Sequence, residues 1–113
     1  LGASSGSIVG LTVKLPVIVR PEAETDLVQI RDWYESQQFG LGRLFAERAA
    51  AAIDHIGEFP ELYGEVEIGV RAAPIHRHPH IAYYRTFPDR VEVLAVLHGA
   101  RDPDAWKRRA SDR

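Results

Sequence analysis

The sequence predicts an α+β fold in which a helical hairpin packs on one face of a small, mostly antiparallel sheet. Two helix-length apolar stripes follow one short strand-like run, and three further strand-like runs come after the helices. Because these strands do not alternate with helices, we expect them to pair as hairpins and not through parallel crossovers. The 113 residues suffice for one two-layer domain and are too few for two independent cores.

A short strand and two helices are predicted first along the chain. The β-branched run from Leu15 to Arg20 predicts a strand that ends at Pro21, a residue that suits the first position of a helix. Apolar residues then recur at spacings of four, three and four, which predicts a first helix ending near Gln38. These residues are Ala23, Leu27, Ile30 and Tyr34. After a glycine-containing turn, a second apolar stripe predicts a helix from Leu41 to about Glu58. Its run of alanines from Ala49 to Ala52 favours a close approach of the two helix backbones, although a strong helix former has the same composition.

Three strands and a terminal helix complete the predicted order. A polar connection with Glu65 and Glu67 follows the second helix. The strand-like runs are Val70 to Ala73, Ile81 to Phe87 and Val91 to His98. The last run is apolar on both faces, which is typical of a strand inside a sheet and not at its edge. Asp102 followed by Pro103 predicts the start of a short helix, so the order is β-α-α-β-β-β-(α).

The composition limits the possible sites and compartments. The chain has no cysteine, which excludes disulfides, thiolate zinc sites and catalytic thiols and is consistent with a reducing cytoplasm. No apolar run approaches the roughly 20 residues that a membrane-spanning helix needs. Residues 1–13 lack the features of a signal peptide, so we interpret them as a leader or extension outside the fold and assign residues 14–113 to a single domain. We therefore predict a cytoplasmic protein with no membrane partner.

The charged residues are distributed unevenly. The net charge of −2 divides into −6 for residues 1–70 and +4 for residues 71–113. A basic C-terminal half suits contact with nucleic acid or with an acidic protein, and it is equally what a solvated surface looks like.

Two other charged or titratable clusters are interpreted as structural. His76, His78 and His80 alternate, but Pro79 interrupts the strand geometry and no carboxylate or cysteine lies nearby in sequence, so we predict a basic connecting loop with no metal and no cofactor. Acidic residues at the start of the first helix are interpreted as favourable charge near a helix N-terminus; they are Glu22, Glu24 and Asp26.

Short motifs in a fixed order extend along almost the whole chain. They are Arg20-Pro21-Glu22-Ala23, Trp33-Tyr34, Phe59-Pro60-Glu61-Leu62-Tyr63, Gly69-Val70-Arg71, Tyr83-Tyr84-Arg85 and the run from Val93 to Pro103. Together, from about Leu15 to Arg109, they resemble the RelE/ParE superfamily of type II toxins, which includes plasmid stabilisation proteins. The resemblance implies a compact toxin in a hetero-oligomer with a cognate antitoxin, whose C-terminal segment wraps over it.

The resemblance leaves the cellular target open between two branches. Members similar to ParE inhibit DNA gyrase, and members similar to RelE cleave messenger RNA on the ribosome. Cleavage through the 2′-hydroxyl needs a base, an acid and cations around the phosphorane. Lys14 and Lys107 are the only lysines, so the lysine-rich active surface of the RelE branch is not matched, and arginines are poor bases. Gyrase inhibition without enzymatic activity is therefore favoured; ribosome-dependent mRNA cleavage, and a non-toxic member that only binds an antitoxin, remain as alternatives.

The candidate site residues lie in the C-terminal half. His98, at the end of the last strand, is the candidate catalytic residue if the protein is a nuclease, and otherwise has a structural or target-contacting role. The candidate contacts to the target or to nucleic acid are Arg71, Arg77, Arg85, Arg101 and Tyr84. The arginines are equally consistent with solvated positions or with partners for acidic antitoxin side chains. Tyr83 and Tyr84 point to opposite faces of one strand, so one is predicted in the core and the other exposed. Trp106 is predicted to hold the terminal helix on the core, and the alternative is that it contacts the target together with the basic residues that follow it.

Overall fold

A computed structural model describes residues 14–99 and 105–111. The helices and strands are β1 (Val17–Val19), α1 (Pro21–Gln37), α2 (Leu41–Glu58), β2 (Glu65–Glu67), β3 (Val70–Pro74), β4 (His80–Phe87), β5 (Arg90–His98) and α3 (Ala105–Ser111). The predicted fold class and element order are confirmed, with β2 as an additional strand where a connection was expected. All three residues of β2 are exposed, so the sequence lacks the alternation of apolar and polar residues that would predict this strand. None of the helices in this part of the chain has the length and hydrophobicity needed to cross a bilayer.

The strands form one sheet in the order β1-β5-β4-β3-β2. β1 pairs with β5 in parallel, and the other three pairs are antiparallel, which confirms the mostly antiparallel prediction. The backbone continues the β1 pairing at both ends, since Val91 N–H donates to the Pro16 carbonyl (2.9 Å) and Arg20 N–H donates to the Val93 carbonyl (3.0 Å). β5 therefore lies inside the sheet, as its two apolar faces predict.

Each face of the sheet is covered by helix. The helical hairpin covers one face, where the largest fully buried side chains include Phe45, Ile56 and Tyr84. α3 covers the other face through Trp106, which stacks on Tyr83. The molecule is thus a three-layer structure, one layer more than the sequence predicted.

A β-bulge in β5 shapes the second core. Tyr84 pairs with Val93 and Tyr83 pairs with Ala95, so Leu94 is an extra residue between the two pairs. The alternation of faces is interrupted here, and Leu94 and Ala95, although consecutive, both belong to the core beneath α3. The bulge therefore adds apolar surface on the face that receives the terminal helix.

α1 and α2 approach each other closely at Gly42. A Cβ atom there would lie 2.7 Å from the Arg31 carbonyl oxygen, which is closer than real Cβ contacts. The Glu35 carboxylate accepts the Gly42 N–H (2.9 Å) and the Gly40 N–H (3.1 Å), satisfying donors at the start of α2. The alanine run contributes less than predicted, because Ala49 is buried whereas Ala50 and Ala51 are exposed.

A buried carboxylate connects three elements of the fold. Asp26, 8% exposed, accepts the Val96 N–H (2.9 Å) and two hydrogen bonds from the Arg109 guanidinium (2.6 and 3.3 Å). β1 ends at Val19, opposite Val93, so the N–H of Val96 lies beyond the last pair with β1. The interpretation of Asp26 as charge near a helix N-terminus missed its main role, because its side chain links α1, β5 and α3 inside the protein.

Candidate functional site

The predicted contact arginines do not converge on one site. Arg71 lies opposite Tyr84 and so shares its face of the sheet, whereas Arg85, the next residue along β4, points to the opposite face. Arg77 is exposed in the turn between β3 and β4, with a positive φ of 65°. Arg101 lies outside the described residues. The structure thus places the arginines it describes on separate surfaces.

Two of these arginines are bound within the fold. Arg71 donates to the Tyr63 carbonyl (2.6 Å) and lies 3.9 Å from the Glu65 carboxylate, so it holds the connection between α2 and β2 against β3. Arg85 donates to the Ala110 carbonyl (3.2 Å) in the last turn of α3. Carbonyls at a helix C-terminus lack intrahelical partners, so Arg85 stabilises that end of α3.

Tyr84 is a core residue and not a surface contact. Its side chain is 0% exposed, its hydroxyl donates to the Pro60 carbonyl (2.7 Å), and burial raises its pKa to about 12. Tyr83, on the opposite face, is only 6% exposed beneath Trp106. The prediction that one of the two tyrosines is exposed is wrong, because α3 covers the face that was expected to meet solvent. The predicted contact by Tyr84 is contradicted by its burial.

His98 lies in a cleft between α1 and the ends of two strands. It pairs with His80 across β5 and β4, and the two imidazole centroids are 5.5 Å apart. The cleft has a volume of about 280 Å³. Its lining residues are Gln29, Ile30, Trp33, Tyr34, Pro79, His80 and His98. None of these seven is Lys, Arg, Asp or Glu, so they line the cleft with aliphatic, aromatic, imidazole and amide groups.

The α1 wall of the cleft is mainly aromatic. Trp33 is 57% exposed and meets Tyr34 edge to face, with ring centroids 5.1 Å apart and an interplanar angle of 77°. Tyr34 stacks in turn on the buried Phe45 ring, at 5.6 Å and 23°. The Trp33 indole, which lines the cleft, therefore contacts a ring that is itself packed on the core.

Next to this cleft, His78 is hydrogen bonded to both helices of the hairpin. Its Nε2 is 3.3 Å from Arg48 Nη1, and its Nδ1 is 3.1 Å from the Tyr34 hydroxyl oxygen. A guanidinium can only donate, so Nε2 accepts and the ring is neutral, with its proton on Nδ1 directed at Tyr34. Burial lowers the pKa of His78, and the charges of Arg48 and His76 lower it further. Within the described residues, no three His, Asp or Glu side chains are grouped to hold a metal.

The hydrogen bonds of His78 predict a loss of stability in mild acid. Because its pKa is lower in the folded protein than the usual 6.5, the unfolded chain takes up the proton first, and stability falls as the pH drops through about 6.5. We expect His78→Gln to flatten this dependence in denaturant unfolding measured at several pH values. The matched change His76→Gln, at an exposed position of the same turn, should keep a slope close to wild type. An unchanged slope in His78→Gln would contradict the neutral-ring assignment.

Sequence reasoning missed most of the cleft. The apolar spacing in α1 predicted Tyr34 as a core position, and Gln29 was not singled out. The available signal was Trp33, a large aromatic residue that lies outside the apolar stripe of its helix. The other cleft residues are brought together only by the pairing of β4 with β5 and by the position of α1 across that end of the sheet.

The architecture is shared with a solved toxin–antitoxin protein. A structure described as the chromosomal ParDE TA system from P. aeruginosa matches with a TM-score of 0.65 and 19% sequence identity, covering 75% of this chain and 96% of that chain. No curated protein sequence matches the chain. Residues 17–103 match the sequence model of the family described as the ParE toxin of type II toxin-antitoxin system, parDE. The chain therefore belongs to the ParE toxin family, and the resemblance to the RelE/ParE superfamily is confirmed.

Proposed function

We propose that this protein arrests bacterial growth by binding and inhibiting DNA gyrase, and that a cognate antitoxin neutralises it in the cytoplasm. Membership of the ParE toxin family supports the toxin role. The observation that favours inhibition by binding concerns the described residues around His98. Within residues 14–99 and 105–111, no arginine or lysine lines its cleft, and Arg71 and Arg85 donate to carbonyls of the protein itself.

RNA cleavage would need a different arrangement. The pentavalent phosphorane carries excess negative charge, and its stabilisation requires cations or donors directed at the reacting phosphate. His98 and His80 lie together and provide groups able to accept and donate protons, which is the observation that keeps mRNA cleavage as the second candidate function. Among the described residues, the cleft adds no charged side chain to this imidazole pair, so these residues offer acid–base groups without charge stabilisation.

Induction of the protein alone tests the target. We expect growth to stop with DNA-damage signalling while bulk translation continues, and purified gyrase to lose supercoiling activity when the protein is added. His98→Ala should retain this toxicity. A nuclease would instead lose about 10²- to 10⁴-fold in rate when its acid–base group is removed. Rapid mRNA cleavage at codon-linked positions that His98→Ala abolishes would contradict gyrase inhibition and support the RelE-like function.

The outer surface of the helical hairpin is the proposed docking site of the antitoxin. Between α1 and α2 there is a recess of about 180 Å³, lined mainly by apolar side chains. Val28, at its edge, is 44% exposed, and Leu27, Ala46 and Ile53 also line it. An amphipathic helix of a partner could bury its apolar face in such a recess.

Val28→Asp tests the docking site. We expect the substitution to weaken the complex with the product of the neighbouring gene about tenfold or more, as when an interface hot spot is removed, measured by calorimetric titration. Gln37→Asp adds the same charge at an exposed position of α1 outside the recess and should bind like wild type. If both variants bound with equal affinity, the antitoxin would dock on a surface other than this recess. If the wild-type protein did not bind the product of the neighbouring gene, that product would not be its antitoxin.

A further inference from the structure

The strand β2 lies at one edge of the sheet. Its pairing partner is β3, and no other strand of residues 14–99 and 105–111 lies beside it. The backbone N–H and C=O groups on the outer side of an edge strand can pair with another extended chain. The pairing register shifts between Glu65 and Glu67, so Val66 is an extra residue in a β-bulge. Because bulges and charges restrict which strands can pair with an edge, a partner of β2 must be complementary to them.

Exposed apolar side chains are grouped along this edge. Ile68, directly after β2, is 92% exposed, and Leu62, in the connection before β2, is 62% exposed. Phe59 and Val66 are exposed as well. We call residues 59–68 the β2 edge. Apolar side chains that are exposed together in one segment, unlike single scattered ones, are typical of a surface that binds a partner.

The fold holds the β2 edge in one conformation. The Tyr84 hydroxyl donates to the Pro60 carbonyl (2.7 Å), and Arg71 donates to the Tyr63 carbonyl (2.6 Å). The Tyr63 hydroxyl oxygen is in turn 2.8 Å from Nδ1 of His55. Side chains from β4, β3 and α2 therefore fix the connection that leads into β2. Because this connection is already ordered, a partner that binds here loses little affinity to loop ordering.

The charge of the β2 edge selects among possible partners. Its three acidic residues, Glu61, Glu65 and Glu67, are all exposed, and residues 59–68 contain no Lys, Arg or His. Glu65 lies opposite Arg71, which is 3.9 Å from its carboxylate, and Glu67 lies opposite Val70, so the two glutamates are on different faces of the sheet.

Two kinds of partner are disfavoured by these charges. A second copy of this chain that paired edge to edge would bring like charges together, which destabilises a strand pair. A nucleic acid would bring phosphates to a surface without cations of its own. A protein segment that carries lysine or arginine has the complementary charge.

We propose that the β2 edge binds an extended basic segment of a protein partner, which adds a strand to the sheet beside β2. In this arrangement the backbone of the segment pairs with the outer side of β2, its basic side chains lie near Glu65 and Glu67, and its apolar side chains cover Leu62 and Ile68. The β2 edge shares no residue with the recess proposed for the antitoxin or with the cleft of His98. The proposal therefore depends on neither the gyrase nor the antitoxin assignment.

Titration of the full chain with a short synthetic peptide that alternates lysine and valine tests the proposal. We expect saturable binding that weakens as salt is added, because exposed charges are screened. Ile68→Ala should weaken binding about tenfold, as when an interface hot spot is truncated. Glu67→Gln should weaken it about two- to fivefold, the usual range for an exposed ion pair.

Phe39→Ala is the matched control for Ile68→Ala. Phe39 is also 92% exposed, but it lies between α1 and α2 and outside the β2 edge, so this variant should bind the peptide like wild type. Circular dichroism establishes that each variant is folded. Absence of saturable binding, or an equal loss of affinity in Phe39→Ala and Ile68→Ala, would overturn the assignment.

Two altered peptides separate strand addition from simple attraction. Methylation of every backbone nitrogen keeps the charges and side chains but removes the backbone donors, so this peptide should bind at least about tenfold more weakly. Equal binding would show that no strand is added and would contradict the proposal. Replacement of each lysine by glutamate should abolish binding, and unchanged affinity would show that the charge of the β2 edge selects nothing. All of these measurements use the purified chain and a peptide, so a failure to inhibit gyrase would leave them unaffected.

Discussion

Replacing Trp106 with alanine is expected to destabilise the protein by about 3–5 kcal/mol, the usual cost of removing a large aromatic side chain from a core. Trp106 is 5% exposed and stacks on Tyr83, with ring centroids 5.3 Å apart and an interplanar angle of 15°. It packs in the core that also contains Val70, Leu94 and Ala95. Since α3 has only seven residues, packing and not helix propensity must hold it in place.

Denaturant unfolding of three variants tests this expectation. Trp106→Phe keeps a smaller aromatic ring on Tyr83 and should lose less stability than Trp106→Ala. Trp33→Ala, at a tryptophan that is 57% exposed, is the matched control and should stay within about 1 kcal/mol of wild type. If Trp106→Ala were as stable as Trp33→Ala, the terminal helix would not be packed on the sheet in solution.

Replacing Asp26 with alanine is the second change with a large expected effect. The substitution removes the acceptor of the Val96 N–H and of two Arg109 hydrogen bonds, leaving a backbone donor and a guanidinium without their partner. Breaking a buried ion pair by removing one member typically costs about 3–5 kcal/mol. The Arg109 side chain is 25% exposed and can regain some hydration, so we expect the lower end of this range.

Two further variants separate the contributions of Asp26. Asp26→Asn keeps an oxygen that can accept the Val96 N–H and should therefore be less destabilised than Asp26→Ala in the same unfolding experiment. Glu24→Ala removes an exposed carboxylate from the same helix and should change stability by no more than about 0.5 kcal/mol. A neutral effect of Asp26→Ala would show that the contacts with α3 and β5 contribute nothing to stability.

Asp26 and Trp106 are expected to be energetically coupled. Each contributes to holding α3 on the sheet, Trp106 through the apolar core and Asp26 through Arg109. Once one substitution has released α3 from the sheet, the other substitution removes fewer stabilising contacts. The double variant should therefore lose less stability than the sum of the two single changes. Strict additivity would indicate that the two contacts act on independent parts of the structure.

Local sequence patterns were sufficient to predict the helices and strands that bury a regularly spaced set of apolar residues. The helix from Leu41 to Glu58 has the predicted bounds, and the last residue of each predicted strand lies within one position of the observed last residue. These segments repeat apolar residues with the period of their own backbone, so the signal lies within the segment. The strand β2 was missed because its three exposed residues show no such period.

The candidate site was predicted less completely than the fold. His98 was placed correctly at the end of a strand, whereas its neighbours in the cleft come from α1 and from β4. The arginines were singled out as charges, but the hydrogen-bonding partners that occupy Arg71 and Arg85 are the carbonyls of Tyr63 and Ala110. Whether a cation is available to a ligand depends on contacts that residue type and spacing do not encode.

The sequence by itself determined that this chain forms a helical hairpin on a mostly antiparallel sheet and resembles type II toxins, because periodicity, turn residues and ordered motifs are local properties. Only the tertiary structure decided that both faces of the sheet are covered, that Tyr84 and Asp26 are buried, and that His98 lines a cleft together with residues of α1. The physical reason is that burial, ionisation and hydrogen-bond availability depend on residues far apart in the chain. Arg109 and Asp26, 83 positions apart, meet only after the terminal helix has packed on the sheet.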